Sequence, residues 1–506
     1  MNLETLLSYK WGLMAPEFII LGTSVLLSLL DLFLPKKADR RNLAWVGLAG
    51  VVIAIISLAG LVDAKTGSIL QDSFRLDSFA KAFKLLLLTG AGFVLVMARS
   101  YHPKRGFKEY RGEFYYLFLT GLLGAMIMTS SGDLITLFTG LELLSLSSYI
   151  LAGMRKTVAS GEAALKYLIT GGISTAITLF GMSYLYGLSG TTNLKAMAGI
   201  MTEQLGSGGF MYLYGLAFFL VLAGLSFKIA AAPFHMWAPD VYHGSPTPAA
   251  AFLGVVSKTA GFAILLRIML TLYLTTPGNA GGTVSFLEHN SIYIACLAGI
   301  TIIAGNLTAL RQRNVKRMFA YSSIAHAGYL LAGFSALGYF TFDAVWFYLA
   351  AYLFMNLGAF AVIQAVADGE DSCDISHFAG LYRRSPLLAG GLSVLILSLA
   401  GIPGTAGFIG KLNIFMNALM TEPGHYVLAS IMIGGTIVSY VYYFGLMVQM
   451  FFRPAPAPAP EKIKTAPALG VVIALTAAVT ILLGIHPNLA LDLLHGPFGS
   501  FDDFLK

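Results

Sequence analysis

Charged residues and cysteines are both scarce in this chain. Only 11% of its 506 residues are charged, whereas soluble domains carry about a quarter, and 57% are apolar. The two cysteines, Cys296 and Cys373, are too few for a disulfide framework or a cysteine-ligated metal, so we expect both to be unpaired structural residues. This composition excludes an ordinary soluble domain and is typical of membrane proteins.

Motifs for nucleotides and redox centres are also missing. The sequence has no Walker loop, no glycine-rich strand-to-helix fingerprint and no cysteine cluster for iron–sulfur. Its nine histidines are scattered, without the paired spacing that favours haem or metal. We therefore predict no cofactor and no metal on this chain, and any energy source for its activity must lie on another chain.

Apolar runs long enough to cross a membrane follow one another along the whole chain. Scanned with a window of about 20 residues, the sequence has fourteen, here called segments 1 to 14. They lie near 15–34, 42–62, 78–98, 113–130, 132–154, 163–187, 210–238, 248–273, 290–309, 317–336, 341–367, 386–420, 425–452 and 467–487. Segment 1 lacks a basic leader and a cleavage site, which favours a retained helix over a signal peptide.

Backbone groups in lipid must be satisfied within the segment, and no ten-residue alternation indicates a barrel. The sequence therefore predicts an all-α polytopic membrane protein with about 14 transmembrane helices.

Basic residues in the loops predict the orientation of these helices. Twenty lie in loops on one side, here called the basic side, and five on the other. Those on the basic side are Lys36, Lys37, Arg40, Arg41, Arg99, Lys104, Arg105, Lys108, Arg111, Arg155, Lys156, Arg311, Arg313, Lys316, Arg317, Arg383, Arg384, Arg453, Lys462 and Lys464; those opposite are Lys10, Lys65, Arg75, Lys195 and Lys506. Such a bias marks the cytoplasmic side. We expect a plasma (inner) membrane protein with both termini on the non-cytoplasmic side, and no nucleic-acid partner despite the net charge of +7.

Seven further cations lie inside the apolar segments, where a charge costs roughly 3 kcal/mol or more. Four of them are within about two turns of a helix end, where a long side chain can reach the headgroups. These four are Lys81, Lys84, Lys166 and Arg267. We expect them to snorkel.

Five other titratable residues are deeper. They lie roughly 14 to 17 Å from a helix end at 1.5 Å per residue, on five different segments. They are Glu142, Lys228, Lys258, His326 and Lys411. Any one of them could serve only as a structural buried ion pair, but a common depth near the bilayer midplane predicts a functional row.

Two of the lysine-bearing segments carry helix-breaking residues. Pro233 follows Lys228 in segment 7, and the Gly401-Ile402-Pro403-Gly404 run precedes Lys411 in segment 12. We expect both helices to unwind in mid-membrane. Because the two breaks are five segments apart, two five-helix repeats of opposite orientation are predicted, as in transporters.

The predicted domains follow from these repeats. An N-terminal three-helix part covers 1–112, the first repeat (segments 4–8) 113–275, and the inverted second repeat (segments 9–13) 288–453. A proline–alanine linker on the basic side and a last helix complete the chain over 454–506.

The chemistry that fits a midplane row is proton transfer. Burial disfavours the charged form of a lysine, whereas a nearby carboxylate favours it, so Glu142 beside Lys228 would make a switchable pair. Serine and threonine hydroxyls could bridge the row. They are Ser145, Ser147, Ser257, Thr259, Ser322 and Ser323, with helix packing as their alternative role.

Several motifs resemble those of the antiporter-like membrane subunits of respiratory complex I (NADH-quinone oxidoreductase), and of the N type in particular. The clearest is residues 227–242, FKIAAAPFHMWAPDVY, continued by GSPTP at 244–248. The others are EAALKY at 162–167, VSKTAGF at 256–262, VKRMFAYSSI at 315–324 and the break from Gly401 to Lys411. The lysine at 258 is similar to the N type, whereas related subunits and sodium/proton antiporters usually have histidine there.

The resemblance implies a proton-translocating subunit of a translocase, coupled to quinone reduction on other subunits. It implies Glu142 and Lys228 as a modulating ion pair, Lys258 as the central relay and Lys411 as the terminal donor; Lys166 and His326 fall in matching segments. The implied partners are other membrane-arm subunits and the bilayer, with NADH and quinone handled elsewhere. A subunit of a multi-chain sodium/proton antiporter stays as the alternative, and a passive scaffold as a third.

Overall fold

The computed structural model describes residues 3–35, 38–103, 106–206, 209–278, 284–338, 341–367, 373–422, 424–454, 462–498 and Asp503. Within these residues the chain is almost entirely helical. In chain order, segments 1 to 14 are Ala15–Phe33, Leu43–Gly60, Ser78–Arg99, Arg111–Thr129, Leu134–Gly153, Val158–Ser189, Met211–Lys228 with Trp237–Gly244, Thr247–Tyr273, Ser291–Ala309, Val315–Ser335, Thr341–Ala367, Pro386–Ala400 with Ala406–Met420, Tyr426–Phe452 and Pro467–Ile485.

Twelve helices in the described residues are long and apolar enough to cross a membrane. Val315–Ser335, at 21 residues, and the divided segment 12 complete the fourteen positions predicted from the sequence. The prediction of a polytopic all-α membrane protein is confirmed. The division of the chain into 1–112, 113–275, 288–453 and 454–506 stays a prediction.

Segments 7 and 12 are broken where the sequence predicted. The helix Met211–Lys228 ends at the lysine, and helix resumes only at Trp237, beyond Pro233. In segment 12, helix Pro386–Ala400 ends at Gly401, and Ala406–Met420 follows. Gly401 and Gly404 have φ of +86° and +85°, a left-handed conformation that glycine adopts without steric cost.

Segment 8 lies wholly inside the molecule and is irregular. A π-helical stretch, Leu253–Ser257, comes directly before Lys258, and a second, Met269–Tyr273, ends the segment. π-helical turns are rare and are frequent at functional sites. Segment 11, Thr341–Ala367, is also almost entirely inside, so segments 8 and 11 form the centre of the bundle.

Several further elements lie between the apolar segments and were not predicted from the sequence. Strands Gly67–Ile69 and Phe74–Leu76 form an antiparallel hairpin. A thirteen-residue helix, Leu194–Gly206, and a final helix, Asn488–Phe498, lie outside the fourteen segments. Short helical turns complete the chain: Leu3–Ser8, Trp11–Met14, Arg40–Asn42, Phe286–His289, Ile375–Phe378 and Leu381–Arg384.

The snorkelling prediction is wrong for Lys84. Its side chain is completely buried, and its Nζ lies 2.5 Å from Oε1 of Glu17, itself 2% exposed. The physical reason is the position of segment 3, which packs inside the protein along most of its length and gives the lysine no path to headgroups. Glu17 on segment 1 replaces water as its partner.

Arg267 and Lys81 do not snorkel either. Arg267 forms a bidentate pair with Asp77, at 2.9 and 2.8 Å, and donates to the Thr129 carbonyl. Lys81 donates to the carbonyls of Val62 and Ala64, at 3.0 and 2.6 Å. Each is only 3% exposed, so these cations are satisfied by protein groups and not by the membrane surface.

Two further sequence predictions concern the cysteines and the loops. Both cysteines are free, as expected; Cys296 is exposed and Cys373 is buried. Several residues counted in the charge bias, and most of the proline–alanine linker, lie outside the described residues. They are Lys36, Lys37, Lys104, Arg105, Lys506 and residues 455–460.

Candidate functional site

Lys228 ends the first half of segment 7 and is 5% exposed. Its Nζ donates a hydrogen bond to the hydroxyl of Ser145 on segment 5, at 3.1 Å. Ser145 in turn donates to the carbonyl of Leu141, one helical turn earlier. Within the part of the chain that the structure describes, this buried lysine is thus held by a neutral hydroxyl and forms no direct ion pair.

Glu142 lies three residues before Ser145 and therefore on the same face of segment 5. Its carboxylate is half-buried and accepts a hydrogen bond from Thr175 on segment 6, at 2.8 Å. Among the described residues, the carboxylate and the Lys228 ammonium thus have different hydrogen-bond partners, Thr175 and Ser145. The predicted switchable pair stays a prediction.

Lys258 lies next along the row, with only 2% exposure. Its Nζ donates to the backbone carbonyl of Ser323 on segment 10, at 2.5 Å, and to the Ser323 hydroxyl. Tyr352 of segment 11 donates to the same hydroxyl at 2.7 Å. In the described ranges, the hydrogen-bond partners of this lysine are likewise a hydroxyl and a carbonyl, with no carboxylate among them.

Segments 7 and 8 pack closely between the two lysines. A Cβ at Gly261 would lie 3.3 Å from Cγ of Lys228 and 2.9 Å from Ile229, so only glycine fits without displacement. Gly261 is three residues after Lys258, on the same helical face. The aliphatic stem of Lys228 therefore lies against the turn of segment 8 that carries Lys258.

His326 continues the row on segment 10, three residues after Ser323. It is buried, with Nδ1 2.5 Å from the Tyr348 hydroxyl and Nε2 3.2 Å from the Tyr443 hydroxyl. Tyr443 also bonds Ser322. The histidine thus joins segments 10, 11 and 13 through titratable groups.

Lys411 is near the break in segment 12 and is 8% exposed. Its Nζ donates to the last carbonyls of the helix before the break, those of Leu399 and Ala400, at 2.8 and 3.0 Å. The ammonium also lies 5.0 Å from the ring centroid of Tyr329. Tyr329 follows His326 by three residues, with the two rings 5.9 Å apart.

A cavity of about 200 Å³ borders Lys411 between segments 12 and 13. Its walls are mostly apolar, with polar contributions from Tyr329, Thr436 and Tyr440. The lysine therefore has carbonyl partners on one side and a cavity on the other.

One face of segment 10 connects the two halves of the row. Ser323, His326 and Tyr329 are spaced by three residues, so they lie on one stripe of the helix. The stripe begins at Lys258 and ends at Lys411. Five of the six candidate site residues, Glu142 to Lys411, are therefore arranged along the interior of the bundle.

Lys166 is the sixth candidate and lies apart from this row. Its side chain is 45% exposed and pairs with Glu162 and Asp240, at 2.6 and 2.7 Å. Arg317 pairs with the same aspartate. The structure places Lys166 in this exposed ion-pair group.

The tyrosines of the row were not singled out from the sequence. Tyr348 and Tyr352 are four residues apart in segment 11, which is almost entirely buried, and Tyr443 of segment 13 contacts His326. A buried phenol usually needs a hydrogen-bond partner. Tyrosines at i, i+4 inside an apolar segment were the available signal.

The described residues contain no group of three or more His, Cys, Asp and Glu side chains that could hold a metal ion. The titratable residues of the row contact hydroxyl, phenol and carbonyl groups. Such an arrangement can pass protons, because every member can donate or accept a hydrogen bond.

Comparison with known proteins gives consistent matches. Residues 131–438 match the family described as "NADH:quinone oxidoreductase/Mrp antiporter, TM". The chain is 60% identical to the NADH-quinone oxidoreductase subunit N of Geobacillus sp. (strain WCH70), over 98% of this chain and all of that protein.

Two solved structures resemble the fold. A chain of respiratory complex I from Thermus thermophilus, solved with bound Aureothin, is 33% identical, with a TM-score of 0.78 over 95% of this chain and 99% of that one. A chain of the Mrp complex from Dietzia sp. DQ12-45-1b has a TM-score of 0.80 over 98% of this chain and 100% of that one. It is only 19% identical, so it shows a common fold alone.

Proposed function

Because this chain belongs to the family of subunit N of NADH-quinone oxidoreductases, we propose that it translocates protons through its row of midplane residues. It is a multi-pass membrane subunit of a multi-subunit complex. The observation that carries the proposal is the stripe on segment 10, which connects Lys258 to Lys411 through Ser323, His326 and Tyr329. We also propose that redox chemistry belongs to other subunits of the complex and that this chain needs no cofactor of its own.

The first step in the proposed mechanism is a change of partner by Lys228. When the Lys228 ammonium approaches the Glu142 carboxylate, the opposite charge stabilises the charged form of the lysine. When the side chain turns to Ser145, this stabilisation is lost. Burial then favours release of the proton. Because Glu142 and Ser145 are one turn apart, a rotation of the flexible lysine side chain at the helix end is sufficient.

The proton next passes along segment 10. Lys258 and Ser323 are directly bonded, and His326 connects to two phenols that can both donate and accept. Lys411 receives it at the far end and faces the cavity between segments 12 and 13. The five residues of the row titrate as coupled sites and not one by one.

The ends of the row are proposed contacts with other membrane-arm subunits. Glu142 is only half-buried within this chain, and Lys411 borders a cavity. A charge at mid-membrane requires polar surroundings, which neighbouring subunits would complete. The exposed pairs around Lys166 form a separate group, so we propose no step through that lysine.

A subunit of a sodium/proton antiporter is the alternative function. The Mrp neighbour supports it only at the level of the fold, since its identity is 19%. Lys258 at the centre of the row, and 60% identity to a subunit N over its whole length, favour the oxidoreductase.

His326→Phe tests the continuity of the row. Phenylalanine keeps an aromatic ring in the cavity left by histidine but cannot accept or donate a proton, so we expect proton translocation to fall by about tenfold or more. The measurement is proton uptake by vesicles containing the complex, with quinone reductase activity measured in parallel. Unchanged proton uptake in an assembled complex would show that His326 is a packing residue. His486→Phe, an exposed histidine after segment 14, is the control.

The proposed orientation places the basic side in the cytoplasm of a cell with this protein in its plasma membrane. Cys373 lies on that side but is buried, so a new cysteine gives a clearer test. Arg383 and Lys65 are both exposed, on the basic and opposite sides. We expect a membrane-impermeant thiol reagent to label Arg383→Cys only from the cytoplasmic side and Lys65→Cys only from the other. The reverse labelling pattern would show that the proposed orientation in the membrane is wrong.

A further inference from the structure

A strongly basic pocket lies on the basic side, at the ends of segments 2, 3 and 4. It has a volume of about 840 Å³ and is lined by four cations, Arg40, Arg41, Lys108 and Arg111. His102 also lines it, and so do the acids Asp39 and Glu109. When Asp31, the ion-pair partner of Arg40, is counted with these acids, the cations are still in excess by one, so the pocket has a net positive charge that favours an anion.

Three of the four cations are fixed by protein groups. Arg40 pairs with Asp31 at 2.5 Å, Arg41 with Asp39 at 2.6 Å, and Arg111 donates to the Tyr101 carbonyl at 2.7 Å. Lys108 makes no side-chain hydrogen bond or ion pair with another described residue. The pocket therefore combines three positioned cations with one that has capacity for a ligand.

His102 lies beside these cations, in the loop after segment 3. Partial desolvation lowers its pKa, and the nearby Arg111, Arg41 and Lys108 lower it further, against the opposite effect of Asp39. The positive groups thus act together on one point. A phosphate group is the anion that such arginine-rich pockets bind well, because guanidinium groups donate pairs of hydrogen bonds to its oxygens.

An apolar groove lies on the neighbouring face of segments 2, 3 and 14. Its volume is about 430 Å³, and its walls include Trp45, Val52, Gly92 and Val471. Along segment 2 it extends from Trp45 to Ile55, which is about 15 Å at 1.5 Å per residue. This length is about half of a 30 Å hydrocarbon core, and so it matches one leaflet.

The groove and the pocket begin at the same end of the bundle. Trp45 is one helical turn after Arg41 in the sequence. The guanidinium of Arg99 lies 4.9 Å from the Trp45 ring, and His102 follows Arg99 by three residues. An apolar channel of one-leaflet length therefore starts beside a basic pocket.

We propose that these two features form one binding site for an anionic phospholipid, with the phosphate among Arg41, Lys108 and Arg111 and an acyl chain in the groove. Charge complementarity selects the headgroup, and the length and lining of the groove select the chain. A free phosphate would fill only the pocket and leave the groove unused.

The test is native mass spectrometry of the complex released from nanodiscs. We expect phosphatidylglycerol to stay bound to this subunit and phosphatidylcholine to be lost. Lys108→Gln should lower phosphatidylglycerol retention about fivefold, the usual effect of one cation near an anionic surface. Gly92→Leu should lower it similarly by filling the groove. Arg383→Gln removes an exposed cation on the same side away from the pocket and should have no effect.

Gly92→Ala separates a filled groove from a misfolded helix. A Cβ at this position meets Leu48 at 3.6 Å and Val51 at 3.9 Å, which are ordinary contacts, so this variant should fold and keep the lipid. Equal retention of both lipids would overturn the proposal. Displacement of the lipid by soluble glycerophosphate would also overturn it. A third contrary result is loss of binding in Lys108→Gln together with full binding in an assembled Gly92→Leu. Either result would indicate that a soluble anion binds in the pocket alone.

Discussion

Complexes carrying Lys258→Met are expected to assemble normally while proton translocation falls by about 10²-fold, the range typical of a positioned acid–base group. Methionine occupies similar space but cannot titrate. Its introduction also removes a buried cation, which relieves a desolvation cost and leaves no carboxylate unpaired. Quinone reductase activity should fall with proton uptake, because the two are coupled in the proposed function. Both are measured on reconstituted vesicles, with assembly checked on native gels.

Lys258→Arg distinguishes proton transfer from simple charge. Arginine keeps the positive charge and the hydrogen-bond donors but does not release its proton under any cellular condition. We therefore expect this variant to be as defective as methionine, whereas Lys65→Met, at an exposed loop position, should behave as wild type. Normal translocation by an assembled Lys258→Met complex would leave the lysine a packing feature and remove the centre of the mechanism.

Lys228→Met and Lys411→Met should also block translocation, but Lys411 has a second role. It donates hydrogen bonds to the Leu399 and Ala400 carbonyls at the end of a helix. Losing these hydrogen bonds costs roughly 1–3 kcal/mol for each carbonyl left unsatisfied. Among the described residues, Lys228 has one hydrogen-bond partner, the Ser145 hydroxyl. We therefore expect Lys228→Met to assemble well, and Lys411→Met to assemble less stably.

The second large effect is expected at Lys84. Replacing it with methionine removes the partner of Glu17, a carboxylate that is 2% exposed. Breaking a buried pair by removing one member typically costs about 3–5 kcal/mol, because the other charge is left uncompensated. We expect Lys84→Met to reduce the amount of assembled subunit and to lower its thermal unfolding temperature in detergent.

The double variant Glu17→Gln with Lys84→Met is the matched control. It removes both charges and should recover most of the stability, since an uncharged pair of similar volume is often neutral. Full stability of the single variant would mean that the pair contributes little. Failure of the double variant to recover would indicate that packing, and not charge, is the reason for the loss.

The segments and their breaks could be predicted from the sequence because both depend on local composition. A window of about 20 apolar residues identifies a helix in lipid. Pro233, and the combination of Pro403 with the glycines at 401 and 404, indicate a break because proline removes a helical hydrogen bond and glycine weakens the continuation. The π-helical stretch before Lys258 leaves no such signal. Neither does the helix Leu194–Gly206, which is too polar for a hydropathy window.

The row was predicted from depth alone, and depth does not identify partners. Lys84 and Lys258 are both lysines within apolar runs, yet one pairs with a carboxylate and the other with a serine. The difference depends on which segments pack together, and hydropathy does not contain that information. The same limit explains why the phenols of Tyr348 and Tyr443 around His326 were missed.

The hydrogen bonds of Lys411 to Leu399 and Ala400 place its ammonium at the negative end of a helix macrodipole. In that posture the charged form is stabilised by the partial charges of the helix end, so release of the proton is opposed. Turning the side chain toward the cavity between segments 12 and 13 would remove this stabilisation and favour release. In the proposed mechanism, the helix break therefore holds the proton on Lys411 in one side-chain position, and rotation of the side chain away from the helix end favours its release.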